Sequence, residues 1–403
     1  MMNVTRREFF AGSAAAALTL YGGARPAHAA GRDTLVVIFQ RGACDWLQML
    51  APAGDANYQK ARPNIRVAPT ASLGVGTLDG VDFYVNQSAP ELKALYDSGK
   101  LAFVHATGLY TVDRSHFTCQ DNMERGTADA DQKVTTGWLA RHMNSMSTQG
   151  NMAPLSALSS SSAIPTSFSG YPQTIAVGNA SSFTVGGGDA NALLLRNLAT
   201  GQTKYEAAAR ETLDAVSSLQ VGLRSANTST AANAGYTGGA MSNALRSLAQ
   251  VIKMNVGLTS ATVDFGSWDM HNALVNEFNV RGQEFSRSLA AFWRDIADFQ
   301  NSVTVVTMTE FGRRFQENAN QGTDHGAGSG MLVLGGNVNG GKIYGKWPGL
   351  AANNLQNGDF IVTTDYRQVL AEIMVQRHGE ATLSNVFPSL KYAPLGIISQ
   401  AIS

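Results

Sequence analysis

Unbroken apolar runs recur along this chain, and each ends in a short polar or glycine-rich stretch. Thr34-Leu35-Val36-Val37-Ile38-Phe39 has no polar alternation, the pattern of a strand covered on both faces. Arg41-Gly42-Ala43 breaks the run and leaves Asp45 on the loop beyond it. Residues 89–98 predict a helix with Pro90 in its first turn. Gly99 stops that helix, and Leu101-Ala102-Phe103-Val104 reads as a second strand with His105 at its end. Strand, helix and strand at this spacing predict a parallel crossover unit. The last third alternates again. A strand is expected over 261–265, and a helix over 281–299 whose apolar face holds Phe285, Leu289, Phe292, Trp293, Ile296 and Phe299. A buried strand over 303–308, another over 330–335 and a hairpin edge over 340–345 follow. A final helix over 365–377 is capped by Thr363 or Thr364 and ended by Gly379. The fold class is α/β, with a mostly parallel central sheet flanked by helices.

The middle of the chain has a different texture. From His142 to Gly188 there is no Asp, Glu, Lys or Arg. Leu155, Leu158, Ile164, Phe168, Tyr171, Ile175, Val177, Phe183 and Val185 interrupt the Ser, Gly and Ala, so this segment is expected to form ordered strands and loops capping the sheet. Residues 204–224 read as helix, 225–239 as a mobile loop, and about 241–256 as a further helix. One domain over 30–403, with a Ser/Gly-rich insertion around 142–240, accounts for the pattern.

The N-terminus supplies an address. Thr5-Arg6-Arg7-Glu8-Phe9-Phe10, the weakly apolar residues 11–20 and the small-residue site Ala27-His28-Ala29 have the order of a twin-arginine export signal. Residues 1–29 are therefore expected to be read by the twin-arginine translocase and removed, leaving a periplasmic or secreted protein. That route carries folded chains, so a metal could be acquired before export. The whole chain holds 30 basic and 30 acidic residues. Loss of Arg6, Arg7, Arg25 and Glu8 leaves 27 and 29, a balance that offers nothing to nucleic acid or an anionic membrane. No later stretch has the apolar length of a membrane span. Two cysteines, Cys44 and Cys119, are too few for a disulfide framework; an oxidising compartment would permit one bridge between them, and two separate buried thiols is the simpler expectation.

Chemistry-bearing residues gather after the strand candidates: Asp45, Ser115-His116, Asp269-Met270-His271, Glu310 and Asp324-His325. Ligands of open α/β sheets bind beyond the carboxyl ends of the strands, so residues far apart in sequence converge there. Asp269 and His271 lie two apart on an extended segment and so share a face, from which a carboxylate and an imidazole can grip one ion. Glycines around Asp324-His325 permit close backbone approach. Ser115 stands where a helix begins, either as its cap or as a nucleophile activated there. Arg313 and Arg314 are candidate anion binders. No Gly-x-Ser-x-Gly elbow is present.

Leu35–Asp45, Arg114-Ser115-His116-Phe117 with Gln120-Asp121, Gly137-Trp138-Leu139, Thr307–Arg313, Gly322–Gly326, Tyr344-Gly345-Lys346-Trp347-Pro348-Gly349 and Thr364-Asp365-Tyr366-Arg367 together resemble the DUF1501 family of exported bacterial proteins. Through it the chain is similar to the alkaline-phosphatase and sulfatase superfamily. The resemblance implies two metals. One would be shared by Asp45, the nucleophile Ser115 and an acid–histidine pair, and the other held by Asp269, His271 and His325. Glu310-Phe311 occupies the place of that acid–histidine pair. Phe311 cannot bind a metal, so His116 or Asp324 would have to replace the missing ligand.

The expected protein is then a metal-dependent hydrolase of phosphate or sulfate esters, with Ser115 and His116 catalytic and Asp45, Asp269, His271, Glu310, Asp324 and His325 as ligands. Zinc suits the imidazole-rich part, and Mg²⁺, Ca²⁺ or Mn²⁺ the oxygen-rich part; no organic cofactor is expected. The substrate would be a small anionic ester or the end of a polymer. A non-catalytic binding or assembly protein on the same scaffold is the alternative.

Overall fold

A computed structural model describes residues 33–399, apart from 111–112, 129–132, 150–151, 154, 162, 179–187, 204–205, 207–208, 211–212, 214–215 and 218–227. The predicted leader, residues 1–29, lies outside the described residues, as does much of the predicted helix at 204–224. Nine strands form one sheet: β1 Thr34–Phe39, β2 Leu101–Gly108, β3 Ala157–Ser159, β4 Thr174–Ala176, β5 Ser260–Asp264, β6 Val303–Met308, β7 Ser329–Gly335, β8 Lys342–Tyr344 and β9 Thr364–Asp365. Their spatial order is β8-β2-β7-β6-β1-β5-β3-β4, with β9 beside the end of β2. Every pairing is parallel except the two made by β7.

The two faces of the sheet are covered separately. Val36 and Ile38 of β1 pack into one core with α1 Pro90–Asp97, α4 Ala240–Lys253 and α5 Leu274–Asp295. Leu35, Val37 and Phe39 pack into the other with α2 His116–Arg125, α3 Trp138–Thr148 and α6 Tyr366–His378. All six residues of β1 and of β6 are buried, as unbroken apolar runs require. Each large aliphatic side chain so covered contributes about 1.5–3 kcal/mol of transfer free energy, which is why the site can sit on loops without unfolding them.

Several expectations change. β1 and β2 point the same way but are not neighbours, since β6 and the antiparallel β7 lie between them. The segment after 340 is no hairpin; Lys342–Tyr344 runs parallel to β2 as an edge strand. The charge-free middle does not cap the sheet but extends it, because β3 pairs with β5 and β4 with β3. The expected mobile loop at 225–239 contains a helix, Thr228–Asn233. The last helix is capped by Asp365, whose carboxylate accepts from the Arg367 amide, and Gly379 ends it with φ +65°. Cys44 and Cys119 are buried and form no disulfide.

The single antiparallel strand determines where the chemistry collects. β1, β2, β5 and β6 deliver their following loops to one edge of the sheet. Because β7 runs the other way, the loop that precedes it, carrying Asp324 and His325, reaches that same edge.

Candidate metal centre

Three imidazoles and one carboxylate meet there. His325 Nε2 lies 3.1 Å from His116 Nε2 and 3.0 Å from His271 Nε2. Asp269 Oδ1 lies 3.0 Å from His271 Nε2, 3.1 Å from His325 Nε2 and 3.5 Å from His116 Nε2. Among the described residues this is where acid and imidazole donors converge: those of His116, Asp269 and His325 all lie within 4.8 Å of one another.

The other nitrogen of each ring is held by an acceptor. His116 Nδ1 faces Glu310 Oε1 at 2.8 Å, His271 Nδ1 faces Asp324 Oδ1 at 3.1 Å, and His325 Nδ1 faces the Arg114 carbonyl at 2.9 Å. A carbonyl or an ionised carboxylate can only accept, so each Nδ1 carries the proton, and a ring in its neutral form turns its lone pair toward the others at Nε2. Lone pairs about 3 Å apart repel unless a positive charge lies among them. Ligands bound at about 2.0–2.2 Å around a tetrahedral ion stand roughly 3.3–3.6 Å apart, near the spacings of 3.1, 3.1 and 3.5 Å among His116, Asp269 and His325. An imidazole that ligates through one nitrogen and donates from the other to an oxygen is the usual arrangement at metal sites. The residues present fit a divalent metal.

Local backbone holds the loops in place. Gly42 has φ +110°, and a Cβ there would lie 2.7 Å from the Asp269 amide nitrogen. Gly322 passes so close to His271 that a Cβ would come within 2.1 Å of its carbonyl carbon. Ala43, Ser267, Ala273 and Gln321, on the same loops, all adopt left-handed backbone, a cost that well-braced functional sites tolerate. The brace is Arg313. Its buried guanidinium donates to the carbonyls of Ala43 (2.7 Å), Gly42 (2.6 Å), Trp268 (3.3 Å) and Thr323 (2.9 Å), and to Asp269 Oδ1 at 2.5 Å.

Charge follows from these bonds. Burial acts to raise the pKa of Asp269, but the Arg313 guanidinium bonded to it acts the other way, and the carboxyl is held down to about 2. Glu310 is also held at about 2 against its burial, by donors from His116, Gln120 and the Gly42 amide. Asp324 is lowered by Asn318 and His271. The Glu310 bond raises His116, whereas burial lowers His325.

The predicted residues therefore take unequal roles. Asp269, His271 and His325 converge as expected, and His116, expected to be catalytic, joins them as a donor. Glu310 and Asp324 stand behind two of the imidazoles instead of pointing at the centre. Both oxygens of Asp45 are engaged away from the cluster: Oδ1 accepts from the Gln48 amide (3.1 Å) and Arg62 (3.0 Å), and Oδ2 from Thr323 Oγ1 (2.9 Å). Asp45 thus fastens the loop that carries His325. Arg313 is 2 % exposed with its donors committed, so it does not meet an incoming anion. Arg314 is partly exposed and lies 3.8 Å from Asp359. Ser115 caps α2, its Oγ accepting from the Thr118 amide at 3.5 Å.

Gln120 was not anticipated as part of the site. It donates to Glu310 Oε1 at 2.8 Å and accepts from Arg41 at 3.2 Å. Its position four residues after His116 on a helix was the available signal, since that spacing shares a face. Arg62 carried no local signal, being drawn in by the fold.

The family model described as "Protein of unknown function (DUF1501)" matches residues 102–374, and the chain belongs to this family. No curated protein matches the chain. Among solved structures it is similar to the lipoteichoic acid synthase LtaP from Listeria monocytogenes, at 9% identity and a TM-score of 0.36, over 86% of this chain and 78% of that one. A likeness that distant bears on neither site nor activity.

Proposed function

We propose that this chain is an exported metal-dependent hydrolase acting on a phosphate or sulfate ester, with its metal held by His116, Asp269 and His325. The observation that carries the reading is the set of three imidazoles, each anchored at Nδ1 and each turning Nε2 toward the same carboxylate oxygen. A divalent ion bound there would polarise an ester oxygen and ease deprotonation of a nearby hydroxyl or water. The donors are not sealed in: the side chains of His116, His325, His271 and Asp269 are 24, 22, 41 and 45% exposed. Solvent or substrate can therefore reach the centre, as a catalytic site requires.

Ser115 is the proposed nucleophile. The Arg114 carbonyl bonded to His325 brings the start of α2 against the cluster, and a helix N-terminus favours an attacking oxyanion and an anionic ester. The Ser115 cap bond is long at 3.5 Å, so little is lost when the hydroxyl turns to substrate. Arg114 and Arg314 share Asp359 beside this loop and supply positive charge for the anionic group. Residues 1–29 direct the chain to the twin-arginine translocase and on to the periplasm or beyond. Among the described residues no helix is long and apolar enough to cross a membrane.

The test is metal analysis of protein purified without chelator, followed by a screen of aryl phosphate monoesters, diesters and sulfates with wild type, Ser115→Ala and His325→Ala. Bound metal, with turnover abolished in both variants, is expected. Wild-type turnover by Ser115→Ala would remove Ser115 as nucleophile, and a metal-free native protein would remove the mechanism. Bound metal with no turnover of any ester would make the chain a metal-binding scaffold.

A further inference from the structure

We infer that the centre takes a single ion, and that this ion is a late first-row divalent cation of the Zn²⁺ type and not Mg²⁺ or Ca²⁺. The inference deepens the metal-dependent reading above and rests on it. Two of the three donors close enough to share one ion, those of His116 and His325, are imidazole nitrogens beside the Asp269 carboxylate, a set that suits zinc and its transition-metal neighbours. Mg²⁺ and Ca²⁺ prefer oxygen ligands from carboxylates, carbonyls and water, and the imidazole nitrogens that make up most of this set suit them poorly.

A second ion would have to draw on the remaining carboxylates of these loops, and Glu310 and Asp45 among them are already committed. Glu310 is fully buried, and its Oε1 accepts from the Gly42 amide, Gln120 Nε2 and His116 Nδ1, each at 2.8 Å. Its Oε2 accepts from Thr309 Oγ1 at 3.0 Å. Asp45 is neutralised by Arg62, with neither partner more than 2 % exposed. Asp324 spends Oδ1 on His271 and Asn318, and its other oxygen faces away into a half-exposed setting.

Space and charge close the other approaches. The Phe311 ring, 3 % exposed, packs 4.9 Å from the His116 ring and 4.8 Å from the His325 ring, centroid to centroid. It fills the side of the cluster where a further ligand would stand. On the opposite flank the Arg313 guanidinium lies 2.5 Å from Asp269 Oδ1 and 3.4 Å from His271 Nε2, a fixed positive charge that opposes a second cation. Glu310 is a positioning residue in this scheme: it fixes the His116 tautomer and returns negative charge to the centre through that ring.

The full chain, stripped with chelator and dialysed, would be titrated with Co²⁺ and then Zn²⁺. Visible absorption reports the Co²⁺ environment, and equilibrium dialysis reports stoichiometry. One equivalent of Co²⁺ is expected, displaced by one of Zn²⁺ and not displaced by millimolar Mg²⁺ or Ca²⁺. Glu310→Gln should keep one equivalent while weakening it by about 10–100-fold, the usual consequence of losing an outer-shell partner. Two equivalents in the wild type, or displacement by Mg²⁺ or Ca²⁺, would overturn the single-ion assignment and leave the hydrolase reading standing. Failure to bind any of these ions would remove both. The wild-type titration decides the stoichiometry even if Glu310→Gln does not fold.

Discussion

Two imidazole–carboxylate pairs in this molecule are nearly identical bond for bond and opposite in consequence. His116 meets Glu310 at 2.8 Å, and His142 meets Glu380 at 2.9 Å, in both cases through Nδ1. The His142 pair is fully buried, and Glu380 further accepts from Ser145 Oγ and the Thr382 amide. It ties α3 to the segment after α6, and among the described residues its Nε2 meets no hydrogen-bond partner. The His116 pair lies at the strand ends, where two more imidazoles and Asp269 arrive from other loops. A histidine held by an acid is thus no sign of function in itself. What separates the two regions is whether the outward nitrogens of several such rings meet at one point open to solvent.

The sharpest way to break the comparison is to remove the ring on which the others depend. His325 Nε2 is in contact with both other imidazoles and with Asp269. His325→Ala is expected to weaken metal binding by more than the roughly 100-fold that loss of an outer-shell partner can bring. Measured by dialysis against Zn²⁺, retention of wild-type affinity would show that the convergence does not bind metal.

Acid separates the two kinds of histidine next. His105, inside β2, is surrounded by Trp46, Phe83, Trp347 and Phe360. Burial pushes its pKa down to about 3, against a weaker bond to the Leu50 backbone. The unfolded chain, with His105 at its ordinary value of 6.5, takes up a proton that the folded chain refuses. Stability from this source is complete above pH 6.5 and falls steadily as pH drops toward 3. Unfolding followed in urea between pH 7 and 4 should show this loss, and His105→Asn, which keeps an acceptor for the Ala106 amide, should flatten it. An unchanged slope would mean that His105 titrates normally.

Glu380→Ala tests the quiet member of the pair. It leaves buried His142 without its partner, a loss of about 1–3 kcal/mol for an unsatisfied buried group. Melting should fall while Zn²⁺ stoichiometry stays at the wild-type value. A change in metal content would show that the two regions are coupled.

The sequence made some of this legible and hid the rest for physical reasons. Thr34–Phe39 and Val303–Met308 were readable as central strands because burial on both faces leaves an unbroken apolar run. Ala157–Ser159 and Thr174–Ala176 are three residues each, too short for any period to show, and only their parallel pairing makes them strands. Sheet order was hidden because β7 inserts between β2 and β6 through contacts distant in sequence. At the site, the loops that bear donors were legible and the division of labour among them was not. Whether Glu310 holds a metal or a histidine depends on Gly42, His116 and Gln120, which lie 268, 194 and 190 residues away. Asp45 was drawn away by Arg62, whose part is invisible until the chain folds.

Gln120 gives the smallest and most discriminating effect. It is one of three groups donating to Glu310 Oε1, and its own carbonyl accepts from Arg41, which also pairs with Glu124 and Asp264. Gln120→Ala removes one neutral hydrogen bond to a carboxylate that keeps the Gly42 amide and His116. The loss should be about 1.5–3 kcal/mol, the range for a bond to a charged group. If Glu310 acts only by bracing the fold, that loss appears wholly in unfolding free energy and Co²⁺ absorption is unaltered. If Glu310 sets the His116 ring, part of it appears as weaker Co²⁺ binding, by up to roughly tenfold, with a shifted visible band. Unfolding free energy and the Co²⁺ spectrum measured on the same preparation separate the two, because a support that acts through a ring changes the ion's ligand field and a support that acts through packing does not.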